Sequence, residues 1–289
     1  MTNILVGHSS FYVRMGWIKK GVEYVKKNSS ENIFVKSNIA AIDELGIGSV
    51  MVQSLRYWMI LLDILKKQNK EYCLKRDIEL IIKKDPYFEN KNSLWLLHSY
   101  IMDRENKEEK AVLWEIFIKS NKVSSFSDES AMQLLVMYCK ENGIEISSRS
   151  AKDSLSVFLK TYNKDNKVNE DPEDGIYSPF TKLEYLIKNS DEKYYFRNIE
   201  HSEITEYLPL YLLTRKLKNV DTKVSTFNEA YIHFNSIIKM RFNDYEKLIS
   251  KLERTDLISI DRAAGLQNIH IVKKLSETEI VEKILESEN

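Results

Sequence analysis

The chain has few of the residues that interrupt regular structure, with four prolines and eight glycines in 289 residues. Together with 43% hydrophobic and 30% charged residues, that scarcity predicts a globular, mainly α protein. Cysteine is nearly absent. Cys73 and Cys139 stand far apart with no C-x-x-C and no zinc-ligand spacing, which excludes a zinc module and fits a reduced, cytoplasmic protein. Neither charge is in excess, because 43 basic residues balance 43 acidic ones. No global field then draws the molecule onto DNA or an anionic membrane, and any nucleic-acid affinity has to come from local patches. The longest apolar stretch, Trp58 to Leu62, is far below a membrane span, and no charged segment followed by an apolar run opens the chain. A soluble protein without a membrane partner is expected. G-x-x-x-x-G-K-[ST] and G-x-G-x-x-G are missing too, so ATP hydrolysis and dinucleotide chemistry are not expected of this chain.

What is present reads as helix-turn-helix or winged-helix units at both ends of a helical middle section, divided at 1–103, 104–225 and 226–289. Near the start, Trp17, Ile18, Gly21, Val22 and Val25 recur at helical spacing over about 16–27, with Lys19 and Lys20 at other angles as candidate DNA contacts. Ser37 is placed to cap a second helix through Leu45, Gly46 and Gly48 make a turn, and Ser49 is placed to cap a third running to about Lys67. In that third helix Met51, Leu55, Trp58, Leu62 and Leu65 form one apolar stripe. Ser49, Gln53 and Arg56 lie opposite it, where a recognition helix meets base edges. An ordinary antiparallel helix pair gives the same pattern. KKQNKEYCLKRD has the composition of a basic wing, and a further helix carries Leu94, Trp95, Leu97 and His98.

The end of the chain changes character. NDYEKLISKLERTD is helical, and LISID and AAGLQNIHIV alternate like two short strands around Gly265. Lys247, Lys251 and Arg254 become candidate phosphate contacts, with Arg262 near the hairpin tip. A hairpin that packs on the middle section or pairs two protomers reads equally well, and a homodimer stays open. The acidic stretch YNKDNKVNEDPEDGIYSP reads as a solvated loop.

The segments GHSSFYVRMGWIKKG, LGIGSVMVQSLRYW, DPYFENKNSLWLLH, SVFLKTY with SPFTKLEYL, and LISIDRAAGLQNIHI span nearly the whole chain in order. In them the sequence resembles the bacterial and archaeal family catalogued as domain of unknown function 4007. Members of that family look like the SspB component of the Ssp system, which places sulfur in one strand of the DNA backbone as an anti-phage mark. Ser9 and Tyr12 depart from the family pattern. The resemblance implies DNA binding and strand nicking for this chain, with a cysteine desulfurase, a sulfur transferase and an ATPase as partners. Two rivals remain: a transcription regulator of the helix-turn-helix type, and a non-enzymatic scaffold that recruits the sulfur-transfer enzyme.

Nicking needs an activated water or a nucleophile, usually with Mg²⁺ or Mn²⁺ held by carboxylates. Asp85, Glu89 and Lys91 superficially resemble a nuclease set, but the simpler reading is that Asp85 caps the next helix with Pro86 at its first position. His8 and Arg14 are the candidate catalytic pair, His8 as ligand or proton carrier and Arg14 as a phosphate clamp. His98 reads instead as a hydrogen-bonded interior histidine. The metal ligands stay unassigned.

Overall fold

The computed structural model describes residues 2–28, 39–68, 71–104, 109–120, 123–163, 177–219, 223–262 and 267–287. It begins with β1 (Thr2–Ile4), followed by a turn and then α1 (Trp17–Lys27), α2 (Ile39–Leu45) and α3 (Ser49–Leu61). The apolar spacing of α1 buries Trp17, Ile18, Val22 and Val25. Gly21 has a specific role in that packing, since a Cβ there would lie 2.5 Å from Met59 Sδ and 3.2 Å from Leu55 Cδ1. It lets α1 and α3 approach closely.

Residue Gly48, not Ser49, is the N-cap of α3, and the helix stops at Leu61 rather than Lys67. Asp63 turns left-handed at φ 54°. The buried Arg104 guanidinium donates to the carbonyls of Ile60 (3.0 Å) and Leu61 (2.6 Å), closing the last turn. The apolar run then continues as a strand, β2 (Leu65–Gln68), paired antiparallel with β3 (Glu71–Leu74). Ser37, the expected cap of α2, lies outside the described residues.

Helices α4 (Arg76–Lys84) and α5 (Lys91–Met102) follow, and α5 is buried from Asn92 to Met102. Asp85 does not cap α5. Its carboxylate accepts from the backbone N–H groups of Glu89 (2.8 Å) and Asn90 (3.2 Å), tightening the turn, while Asn90 caps the helix through Asn92 N–H. β4 (Glu109–Ala111) pairs in parallel with β1, and α6 (Val112–Trp114) continues into a π-helical turn over Glu115–Lys119. α7 (Asp128–Glu141) and α8 (Ser148–Tyr162) start from serine caps at Ser127 and Ser147. A short 3₁₀ turn at Pro179–Leu183 leads to the hairpin of β5 (Leu186–Lys188) and β6 (Tyr194–Phe196). Most of the acidic stretch read as a loop, 164–176, lies outside the described residues.

The remaining elements are α9 (Tyr207–Lys216), β7 (Val224–Thr226), α10 (Phe227–Ile237), α11 (Phe242–Glu253), β8 (Ile258–Asp261), β9 (Asn268–Ile271) and α12 (Glu277–Glu286). β9 lies between β7 and β8, antiparallel to both. Mainly α is thus the class, with small two- and three-stranded sheets.

The three stretches of chain share one core. α12 packs on α9, α4 and α5. The buried Arg215 of α9 joins Asp103 at the end of α5 (Nε to Oδ2, 2.9 Å) to Glu277 at the start of α12 (3.1 Å). In the centre, His98 of α5 donates from Nε2 to the Ile237 carbonyl (2.9 Å) and accepts at Nδ1 from the Tyr162 hydroxyl (2.7 Å), which itself accepts from Trp114 Nε1–H (2.8 Å). His98 is therefore the satisfied interior histidine its sequence context indicates.

Candidate nucleic-acid interface

Helix α11 buries Tyr245, Leu248, Ile249 and Leu252. The 3.6-residue period then puts Asn243, Glu246, Lys247, Ser250, Lys251 and Arg254 on the opposite side. That side faces the β8–β9 hairpin across a cavity of about 620 Å³, which Arg262 and Gln267 line from the hairpin and His201 and Phe227 from neighbouring segments. Four basic side chains from two elements meet here: Lys247, Lys251, Arg254 and Arg262.

Three of them have carboxylate partners. Lys251 Nζ is 3.3 Å from Glu206, Lys247 Nζ 3.9 Å from Asp244, and Arg262 makes a two-pronged contact with Glu253 (2.8 and 3.1 Å). The Arg262 guanidinium holds Glu253 below the usual carboxylate range, as the His201 imidazole 2.8 Å away does for Asp244. Arg254 is exposed and forms no ion pair among the described residues. Each of these ion pairs includes a solvent-exposed cation, so a phosphate oxygen can compete for it at modest cost.

The N-terminal candidates are arranged differently. Ser49 and Gln53 are half-buried on α3. Arg56 donates to the Tyr72 hydroxyl of the β2–β3 hairpin and lies 5.2 Å from that ring's centroid, its buried Nε having no hydrogen-bond partner among the described residues. Lys19 packs on Tyr87, its Nζ 4.5 Å from the ring centroid, whereas Lys20 is exposed.

His8 and Arg14 share one turn but not one environment. His8 is only 5% exposed, and burial lowers its pKa. Nδ1 accepts from Ser10 N–H (3.1 Å), so Nε2 carries the proton and donates to Ser154 Oγ (3.0 Å), whose hydroxyl donates to the Leu5 carbonyl (3.0 Å). The imidazole thereby holds a turn in which Ser9 and Ser10 both take left-handed backbone (φ 48° and 64°). Arg14 is half-buried against Phe11 and Trp17, at 5.3 and 5.5 Å from their ring centroids. Asp85 is buried and committed to backbone N–H groups, and it does not line the α11 cavity. Among the described residues no group of three or more His, Cys, Asp or Glu side chains could hold a metal ion. No helix there is long and apolar enough to cross a membrane.

Sequence reasoning found the cations of this face but not Asn243, Glu246 and Ser250, which follow the same three- and four-residue spacing. His201 and Phe227 come from segments that carry no local signal.

A family model described as a protein of unknown function (DUF4007) matches residues 5–287. The chain belongs to the DUF4007 family. Two solved structures share its fold. One, the SspB crystal structure, is 16% identical with a TM-score of 0.80. The other, a magnesium ion-bound SspB crystal structure, is 17% identical with a TM-score of 0.79. In each case 96% of this DUF4007 chain aligns with 86% of the other. No curated protein matches the sequence.

Proposed function

We propose that this DUF4007 protein is a DNA-binding component of a phosphorothioate-modification system, and that α11 and the β8–β9 hairpin form its DNA face. The observation that carries the proposal is the convergence of Lys247, Lys251, Arg254 and Arg262 on one cavity. With zero net charge over the chain, affinity for DNA has to come from a local group of cations such as this one. The order α9, β7, α10, α11, β8, β9, with β7 beside β9, supports reading this end as a winged-helix unit with α11 as recognition helix and the hairpin as wing. At the other end, α1 to α3 followed by the β2–β3 hairpin repeat the theme, with Ser49, Gln53 and Lys20 as the outward groups. The likeness of the fold to SspB supports the choice of system, and with it sulfur-transferase, cysteine desulfurase and ATPase partners.

Arg14 is assigned to backbone contact and His8 to holding the turn from which Arg14 projects.

The test is fluorescence anisotropy on a labelled mixed-sequence duplex. Replacing Lys251 and Arg254 together by alanine should weaken binding at least tenfold with the fold intact, since each contact to a phosphate carries charge-assisted hydrogen bonds. An unchanged affinity would refute the assignment of this face.

A further inference from the structure

The cavity beside α11 holds one group that phosphate binding does not use. Among the cations of its lining stands a single carboxylate, Glu246. It could neutralise a neighbouring lysine, yet Lys247 lies against Asp244, Lys251 against Glu206, and Arg262 against Glu253. Glu246 itself makes no side-chain hydrogen bond or ion pair among the described residues. On a surface that collects phosphates a free carboxylate repels the backbone, so it weakens sequence-independent binding. Its position is explained if it meets a hydrogen-bond donor on the DNA instead.

Asn243 stands three residues earlier on the same stripe, exposed and also without a side-chain partner among the described residues. In the major groove a carboxylate accepts from the N4 amino group of cytosine, and a carboxamide pairs with N6 and N7 of adenine. Three residues of helix advance roughly 4.5 Å, close to the ~3.4 Å spacing of stacked base pairs, so the two side chains address neighbouring steps.

We propose that Glu246 and Asn243 read base edges, cytosine and adenine respectively, while Lys247, Lys251, Arg254 and Arg262 hold the phosphates. The proposal rests on the DNA-binding reading above and adds sequence discrimination to it.

Selection from a pool of randomised duplexes tests it, using the full chain and the variants Glu246→Gln, Asn243→Ala and Arg254→Ala. All three sites are exposed or half-buried and outside the core, and circular dichroism verifies the fold of each variant. Wild type should enrich sites with cytosine and adenine at neighbouring positions. Glu246→Gln should lose the cytosine preference, on the order of tenfold, while affinity for mixed-sequence DNA holds or rises. Asn243→Ala should lose the adenine preference by a similar factor, and Arg254→Ala should weaken all sequences alike. Enrichment of the same sites by wild type, Glu246→Gln and Asn243→Ala, or wild-type binding without any base preference, overturns base reading and leaves the DNA-binding reading standing. Failure of the wild-type protein to bind any duplex overturns both.

Discussion

The His8 ring donates to Ser154 Oγ at 3.0 Å, joining the N-terminal turn to α8 across 146 residues of sequence. Because Ser10 N–H occupies the other ring nitrogen, the imidazole is neutral and fully engaged. His8→Ala should therefore act on stability: roughly 2–4 kcal/mol lost, from a buried hydrogen-bond chain and a left-handed turn left without its clamp. Urea unfolding measures the loss, and anisotropy below the unfolding transition should show DNA affinity lowered no further than Arg14→Ala lowers it, because His8 acts only through the turn that carries Arg14. Full stability with lost DNA binding would contradict the clamp.

His98 makes stability depend on pH. Burial lowers its pKa from 6.5 to about 4, so the unfolded chain takes up a proton that the folded one refuses. The stability present above pH 6.5 is lost as pH falls from 6.5 to about 4, and His8, shifted the same way, adds to the loss. For His98 alone the loss is roughly 1 kcal/mol between pH 7 and 5.5, and roughly 3 kcal/mol over the whole window. Urea midpoints at pH 7 and 5.5 check it. A midpoint that is flat or higher at pH 5.5 would contradict the buried neutral ring.

Arg215 ties Asp103 to Glu277, and its side chain is 8% exposed. Arg215→Met removes one member of a buried network and leaves Asp103 facing its old partner's space. The expected cost is about 3–5 kcal/mol, against about 1 or less for the exposed Lys218→Met beside it. Equal thermal shifts for the two variants would show that the network is not central to docking α12.

Glu206 restrains Lys251 in the free protein, at 3.3 Å. A phosphate has to replace that carboxylate, so Glu206→Gln should tighten DNA binding by about two- to fivefold at low salt. Weaker binding would mean that Glu206 orients Lys251 rather than competing for it.

Much of this was legible from residue spacing. The α11 cations fall three and four residues apart, and the same period marks the buried faces of α1 and α3. Spacing failed where distant chain decides. The apolar run after Leu61 has no breaker, and α3 stops there because Arg104 caps it and β3 recruits the following residues as a strand. The burial of His8 has no local sequence signal, because its partner Ser154 is 146 residues away. Arg56 was placed on the free face of α3, but Tyr72 of the hairpin takes up its guanidinium. Glu246 and Asn243 share the cations' spacing, but a carboxylate or a carboxamide on an exposed helix face carries no phosphate-binding signal of its own.

The central claim, that the α11 face binds the DNA backbone, is tested most directly by the salt dependence of affinity. The four phosphate contacts of this face contribute about −3.6 to the slope of log Kobs against log salt, about −0.9 per contact, with Arg14 adding about one contact more, and replacing Lys251 and Arg254 by alanine should reduce its magnitude by about 2. A slope near zero, or one that the double substitution leaves unchanged, would contradict the claim.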